Sequence, residues 1–115
     1  MNVGDIHWVE FPPANGREQQ GRRPAIVVQD DGDAGSLPTT MVVPLSTAIR
    51  ALRFAGTATI SASTESGLRQ DSVALVFQFR AIDRGRVKER LGTISDDEVE
   101  AVFDELRKLT GLVNK

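Results

Sequence analysis

The sequence predicts a mainly β fold with one C-terminal α-helix, arranged as a small half-open β-barrel. Most of the chain consists of short apolar runs separated by glycine, proline and polar turn residues, a pattern typical of strands. The end of the chain instead carries apolar side chains at helical spacing. With 115 residues, 40% of them hydrophobic, the chain suits a single domain over 1–115 with one core.

Six segments are predicted to be β-strands. The first is closed by two consecutive prolines, and the second is a near-continuous aliphatic run typical of a buried strand. The strongest β pattern is 72–79, which places Val73, Leu75, Phe77 and Phe79 on one face. The predicted strands are 6–11, 25–29, 39–45, 56–61, 72–79 and 86–91.

Two connecting segments carry local signals. The polar, glycine-containing stretch 30–36 predicts a turn or loop. The stretch 46–50 predicts a short helical turn, for which either Ser46 or Thr47 is a suitable N-cap.

The C-terminal helix has a clear beginning. Ser95 and Glu98 have the spacing of a capping box. The acidic residues of this first turn stabilise the helix, because they lie at the positive end of its dipole. One apolar stripe follows, which we expect to pack on the sheet: Val99, Val102, Phe103 and Leu106.

Composition excludes several kinds of site. The absence of cysteine removes disulfides, thiol nucleophiles and zinc–thiolate centres, and the lone His7 removes two-histidine chemistry. The chain has no phosphate-binding glycine motif and no nucleophile elbow, so no cofactor or metal site is expected. Without a signal peptide or an apolar run near ~20 residues, a cytoplasmic protein with no membrane contact is expected.

The net charge of −2 hides an uneven distribution. Between 69 and 90, six basic residues accompany three acidic ones, whereas 96–115 reverses that ratio. Most of the basic residues are arginines, whose planar guanidinium can donate two hydrogen bonds to a phosphate and can stack on a nucleobase. The sheet is therefore expected to present a basic face.

The segment 16–24, GREQQGRRP, is the strongest candidate for a functional loop. Pro24 restricts the residue before it to extended geometry, so we expect Arg23 to be held at a strand entrance. A guanidinium in such a rigid position offers a planar fork of donors that fits a phosphate.

Arginines, hydroxyls and a few carboxylates suit cleavage of RNA without a metal ion. RNA supplies its own nucleophile, the 2′-OH, and the protein must orient it and stabilise charge on the phosphate. Glu18 is the candidate base if burial raises its pKa, an effect that the neighbouring arginines oppose.

The sequence resembles the MazF/PemK family of toxins in blocks that follow the family's order. GDIHWV at 4–9 resembles the family's opening, and 16–24 is similar to its G-x-E-Q-x-G-x-R-P loop. PTTMVVPLST at 38–47 resembles a third strand that ends at a catalytic hydroxyl. DSV at 71–73 and QFRAIDR at 78–84 resemble a D-S-V…Q-I-R-T-I-D-K/R block.

This resemblance implies the SH3-like barrel of CcdB/MazF-type toxins, in a homodimer. It implies a metal-independent, sequence-selective endoribonuclease that leaves a 2′,3′-cyclic phosphate and a 5′-OH on single-stranded mRNA. The family's catalytic arginine corresponds to Arg23 and its hydroxyl, usually threonine, to Ser46, with Thr47 one residue further on. The substrate-binding candidates are Gly16, Arg17, Gln19, Arg22, Thr47, Gln78 and Arg80.

The resemblance also implies a cognate antitoxin that competes with RNA for a basic groove. The candidate cations of that groove are Arg17, Arg22, Arg23, Arg80 and Arg84. Two alternatives remain open at this stage: a CcdB-like gyrase poison without enzyme activity, and an SH3-like interaction module. A single tryptophan and no tyrosine weaken the second alternative, which needs an aromatic groove.

Overall fold

A computed structural model of the chain describes residues 1–13, 15, 16 and 20–112, with Asp33 described by its backbone only. Seven strands, two α-helices and three 3₁₀ turns follow one another along these residues. The strands are β1 (Asp5–Phe11), β2 (Gly21–Val27), β3 (Thr39–Ser46), β4 (Thr57–Ile60), β5 (Ser72–Leu75), β6 (Arg80–Asp83) and β7 (Val87–Thr93). The helices are α1 (Asp31–Ala34) and α2 (Asp96–Thr110), and the 3₁₀ turns are Ile49–Arg53, Val76–Gln78 and Arg84–Arg86.

All strand pairs are antiparallel, in the order β4-β5-β3-β2-β1-β7. The remaining strand, β6, pairs with the first half of β3. Among the described residues no pairing joins β4 to β7, so the barrel is half open. The predicted mainly β fold with a C-terminal helix is confirmed.

Alternation along β1, β2 and β3 separates the two largest of three apolar clusters, because neighbouring side chains point to opposite faces of a sheet. In β1, Ile6 belongs to the larger core, while Val9 and Phe11 belong to the smaller one. The larger core contains Ile6, Ile26, Val43, Leu45, Ile60 and Val102, and the smaller contains Val9, Phe11, Ala25, Val42 and Ile82.

Helix α2 begins where the sequence predicts. The Ser95 hydroxyl accepts a 3.1 Å hydrogen bond from the Glu98 backbone N–H, and the Glu98 carboxylate accepts one from the Ser95 N–H at 3.0 Å. Gly111 ends the helix in the left-handed conformation, with φ of 81°. The predicted apolar stripe covers the larger core, and its central residue Val102 is 1% exposed.

The predicted continuous strand 72–79 is wrong. β5 ends at Leu75, the turn Val76–Gln78 follows, and β6 begins at Arg80. Both strands pair with one edge of β3, where Ala74 lies opposite Leu45 and Arg80 lies opposite Val42. From Ala74 to Arg80 the chain therefore advances by six residues while β3 advances by only three, and the turn Val76–Gln78 accommodates the extra residues.

Strand β2 begins earlier than predicted, because β1 continues to pair with it as far as Phe11 opposite Gly21. Arg23 thus lies inside a strand and not at its entrance. The turn predicted at 46–50 begins later, at Ile49 with Ala48 as N-cap, because Ser46 still belongs to β3. The loop 30–36 contains the short helix α1, capped by Asp30.

Across the described residues, no helix has both the length and the apolar character that crossing a bilayer requires.

Candidate active site

Arg23 projects from the exposed half of β2. Its backbone lies opposite Val9 of β1, and the side chain is exposed to solvent. Its Nε donates a 3.2 Å hydrogen bond to the Gln20 carbonyl, and this contact restrains the orientation of the guanidinium group. Within the described part of the chain Arg23 forms no ion pair, so its outer N–H groups are available to an anion.

The register of the sheet relates Arg23 to Ser46. Ladder pairing between β2 and β3 begins at Ala25 opposite Pro44, one residue after Pro24, which has no N–H to donate. Continuing that register by two residues places Arg23 opposite Ser46 and on the same face of the sheet. Arg23 and Ser46 are not themselves a ladder pair, and this extension of the register is what relates the predicted catalytic arginine to one of the two candidate hydroxyls.

Ser46 is half-buried at the end of β3, opposite Val73 of β5. Its Oγ accepts a 3.1 Å hydrogen bond from the Ala48 backbone N–H, which holds the oxygen in place. A hydroxyl that accepts one hydrogen bond keeps its own O–H as a donor. Ser46 is thus a positioned donor on the same face as Arg23.

Thr47 is exposed and lines a different cleft. Ser46 borders a cleft of about 530 Å³ with Arg50, Arg53 and Gln78. Thr47 borders one of about 570 Å³ with Trp8, Pro24 and Arg69. The two neighbouring hydroxyls therefore serve separate clefts.

Arg22 lies on the face of β2 opposite to that of Arg23, because adjacent strand residues alternate. Its guanidinium lies 5.0 Å from the Trp8 ring centroid and forms a 2.5 Å ion pair with Glu89. The hydrogen bond from Arg22 holds the pKa of the Glu89 carboxyl below its ordinary value. Both partners are exposed, so the pair contributes little stability.

Gln78 and Arg80 flank the point where β6 begins. Gln78 ends the preceding 3₁₀ turn and borders the cleft that contains Ser46. Arg80 lies opposite Val42, and its guanidinium lies 5.7 Å from the Phe11 ring centroid. Phe11 belongs to the same face of β1 as Val9, so Arg80 shares a face with Arg23.

Gly16 lies in an exposed bend between β1 and β2. Three candidates fall outside the described residues: Arg17, Glu18 and Gln19.

Sequence reasoning missed four residues of the cleft beside Ser46: Arg50, Arg53, Phe54 and Phe77. A signal for Arg50 was present, since it lies in the helical turn predicted at 46–50, whereas Arg53 lies beyond that predicted turn. The aromatic residues lacked such a signal, because Phe77 was assigned to a continuous strand that the structure breaks.

Arg84 has a structural role. Its guanidinium forms a 2.9 Å ion pair with Asp31 and donates to the carbonyls of Leu37 and Ala34 at 2.6 and 2.9 Å. It therefore ties the 3₁₀ turn Arg84–Arg86 to α1, and this network occupies its donors.

His7 also has a structural environment. The ring is buried, and Nδ1 lies 2.8 Å from the Lys88 carbonyl, to which it donates when protonated there. Over the part of the chain that the structure describes, no cluster of three or more histidine or carboxylate side chains has the arrangement of a metal site.

Comparison with known proteins gives a consistent relationship. Residues 2–110 match the family described as PemK-like, MazF-like toxin of type II toxin–antitoxin system. The chain is 31% identical to Endoribonuclease MazF of Staphylococcus saprophyticus over 112 residues, which covers 97% of this chain and 92% of the relative.

Solved structures share the fold. MazF of Deinococcus radiodurans has a TM-score of 0.82 at 27% identity, with 96% of each chain covered. A MazE–MazF structure from the same organism has a TM-score of 0.77 at 27% identity, covering 98% of this chain and 97% of that one. A mycobacterial endoribonuclease in complex with its cognate antitoxin, at 14% identity and TM-score 0.78, is similar in fold.

The Arg84–Asp31 pair predicts a specific response to acid. The hydrogen bond from Arg84 holds the pKa of the Asp31 carboxyl below its ordinary value of 3.8. The stability that the pair contributes is therefore fully present above pH 3.8 and is lost as pH falls through the lowered folded-state pKa. Arg84→Gln is expected to reduce the loss of stability in this acid range, measured by urea unfolding at a series of pH values.

Arg86→Gln is the matched control, because within the part of the chain that the structure describes Arg86 donates only to the neutral Glu10 carbonyl, at 3.2 Å. Some acid sensitivity should remain in Arg84→Gln, since the Met1 amino group also lies 3.2 Å from Asp31. Equal acid profiles for Arg84→Gln and wild type would contradict this assignment.

Proposed function

The chain belongs to the family of PemK-like, MazF-like toxins of type II toxin–antitoxin systems, and we propose that it cleaves single-stranded RNA with Arg23 and Ser46. The chain is a toxin of this kind and an endoribonuclease. One observation carries the proposed chemistry: the β2–β3 register relates an exposed arginine and a positioned hydroxyl on one face of the sheet.

The proposed reaction uses the substrate's own 2′-OH. The 2′-oxygen attacks the adjacent phosphorus, the bond from phosphorus to the 5′-oxygen breaks, and a 2′,3′-cyclic phosphate and a 5′-OH result. One proton leaves the 2′-OH and one reaches the departing 5′-oxygen. Glu18 is the proposed base for the first proton.

The protein's contribution is positioning and charge stabilisation. Negative charge develops on the non-bridging phosphate oxygens, where the Arg23 guanidinium offers a planar pair of N–H donors. The Ser46 O–H is a second donor, because its oxygen is already held by the Ala48 N–H. This pair needs no metal ion for charge stabilisation at the phosphate.

The proposed RNA path extends from this pair along the same face. Gln78 and Arg80 border it on the β5–β6 side, and the other proposed contacts are Gly16, Arg17 and Gln19, which precede β2 in the sequence. Two further substrate-binding candidates lie on the other face: Thr47 lines the Trp8 cleft, and the Arg22 guanidinium lies over the Trp8 ring.

The proposed partners are RNA, a cognate antitoxin and a second copy of this chain. A MazE–MazF complex and a toxin–antitoxin complex are among the similar solved structures, which supports an antitoxin partner. An acidic segment that folds along the basic path would imitate phosphates with carboxylates. The proposed location is the cytoplasm, where mRNA is found, and the proposed domain spans 1–115.

Metal independence is directly testable. The toxin is expected to cut single-stranded RNA in excess EDTA and to leave a 2′,3′-cyclic phosphate, because the nucleophile belongs to the substrate. Product ends are identified by mass spectrometry. A DNA strand of the same sequence is the control and should stay intact, since it lacks the 2′-OH. Complete loss of activity in EDTA that Mg²⁺ restores would overturn the proposed chemistry.

Arg23→Ala is expected to lower the cleavage rate by about 10²-fold or more, the usual cost of removing an electrostatic donor to the transition state. Ser46→Ala should act in the same direction, and folding should be nearly unchanged because Arg23 is exposed. Single-turnover rates and thermal melting curves measure the two quantities.

Neighbouring residues provide matched controls. Arg22→Ala removes an equal charge from the opposite face of β2, and Thr47→Ala removes a hydroxyl from the other cleft. Both should lower the rate less than Arg23→Ala and Ser46→Ala. A larger loss in Thr47→Ala than in Ser46→Ala would transfer the catalytic hydroxyl to Thr47, and an unaltered rate in Arg23→Ala would remove the mechanism.

RNA and the cognate antitoxin are expected to exclude each other from the toxin, because both need the cations of one path. In a titration, antitoxin should displace an uncleavable RNA, and its affinity should fall with added salt. Arg80→Glu should weaken antitoxin binding, whereas Arg107→Glu on α2 is the control that should not. Independent binding of both ligands to one toxin would refute this model.

A further inference from the structure

Gly21 lies between Arg23 and the carbonyl that restrains its side chain. The Arg23 Nε donates its 3.2 Å hydrogen bond to the Gln20 carbonyl, and Gly21 has a backbone φ of 79°. This angle falls in the left-handed region, which residues with a Cβ seldom occupy. The contact that restrains Arg23 is therefore made across the one residue of the segment 20–23 that has this conformation.

The strand that follows Gly21 is held by other contacts. Residues 22 and 23 both belong to the β1–β2 ladder. On the opposite face of β2 from Arg23, the Arg22 guanidinium contacts the Trp8 ring and the Glu89 carboxylate, and these two residues belong to β1 and β7. The backbone from Arg22 onward thus has a fixed position relative to the sheet.

The φ angle of Gly21 then sets the direction of the Gln20 carbonyl. Rotation about the N–Cα bond of a residue turns the planar peptide unit that precedes it, and the Gln20 carbonyl belongs to that unit. Because the chain after Gly21 is held in β2, the angle of 79° directs this oxygen toward the Arg23 Nε. An extended φ of about −140° would turn the oxygen by about 140° and remove the acceptor from Arg23.

No steric contact explains a glycine at this position. Among the described residues, no atom outside the adjacent positions lies within 4 Å of the place that a Cβ on Gly21 would take. Gly67 differs, because a Cβ there would lie 2.1 Å from the Leu91 carbonyl oxygen. The structural reason for glycine at position 21 is therefore its backbone conformation alone.

We infer that Gly21 is a positioning residue for RNA cleavage and acts through Arg23, by holding the acceptor of the Arg23 Nε in place. The inference rests on the proposed function, because Arg23 is the group that contacts the phosphate. With Nε bound to the Gln20 carbonyl, the two terminal nitrogens keep a defined direction toward the phosphate oxygens. Loss of this acceptor leaves the charge in place but not its direction, so cleavage is affected more than RNA binding.

The test compares residues that differ in their tolerance of a positive φ. Gly21→Ala adds one methyl group in open space, but L-alanine occupies the left-handed region about tenfold less readily, so single-turnover cleavage should slow by about tenfold. Gly21→Asn should stay within about threefold of wild type, since asparagine tolerates this region. A chemically synthesised chain with D-alanine at position 21 should cleave at the wild-type rate, because D-residues favour a positive φ.

Gly111→Ala is the matched control. Gly111 ends α2 with a φ of 81°, and among the described residues it also has no atom within 4 Å of a Cβ position. The substitution imposes the same conformational strain on a different element, so it should leave the cleavage rate unchanged. Thermal melting curves compare the folding of the two variants.

A binding measurement separates positioning from a general loss of structure. The probe is an RNA with a 2′-deoxy sugar at the cleaved nucleotide, which binds but has no nucleophile. Gly21→Ala should change its affinity by less than about twofold while slowing the cleavage of the matched all-ribose RNA. Equal tenfold losses of rate and affinity would contradict a positioning role.

A double-mutant cycle decides whether Gly21 acts through Arg23. In the Arg23→Ala background, Gly21→Ala should slow cleavage by less than about twofold further, because the guanidinium that Gly21 positions is already absent. A further tenfold loss in that background, an unaltered rate in Gly21→Ala alone, or equal rates for the L-alanine and D-alanine chains would overturn the inference and leave the proposed function intact. An unaltered rate in Arg23→Ala would overturn both.

Discussion

The backbone hydrogen bonding of β3 is the constraint on which the rest of the molecule depends. One edge of this strand pairs with β2, and the other edge is shared by β5 and β6. Because the two partners on the shared edge need different registers, the chain between them must fold out as the turn Val76–Gln78. The half-open barrel, its two cores and the cleft beside Ser46 all follow from this division of one edge.

The candidate site lies where that pairing stops. Beyond Ala25 and Pro44 the strands β2 and β3 no longer form a ladder with each other, and the side chains of Arg23 and Ser46 are less buried than the aliphatic ones of the ladder. Pro24 contributes by removing an N–H that a continued ladder would need. The sheet thus ends in two strand segments that no longer pair with each other but remain paired with β1 and β5, and that carry Arg23 and Ser46 on one face. This is a suitable arrangement for charge stabilisation without large reorganisation.

Local patterns predicted the elements whose signals are local. The capping box at Ser95 and Glu98 located α2, and the apolar runs located most strands to within a few residues. The break after Leu75 could not be predicted, because it arises from the register of β3 and not from the apolar pattern of 72–79. Arg23 and Ser46 were predicted from local sequence motifs, whereas the cleft that Phe77 joins became visible only in three dimensions.

The division of work between the long strands and the short 3₁₀ turns has a consequence for how such toxins diversify. Buried side chains of β1, β2 and β3 supply the packing, while exposed residues such as Ile49, Phe54 and Phe77 lie on the turns. Exposed positions tolerate substitution with little loss of folding free energy. The surface beside Ser46 can therefore change its shape and charge on one unchanged scaffold, without the stabilising compensation that altered cores require.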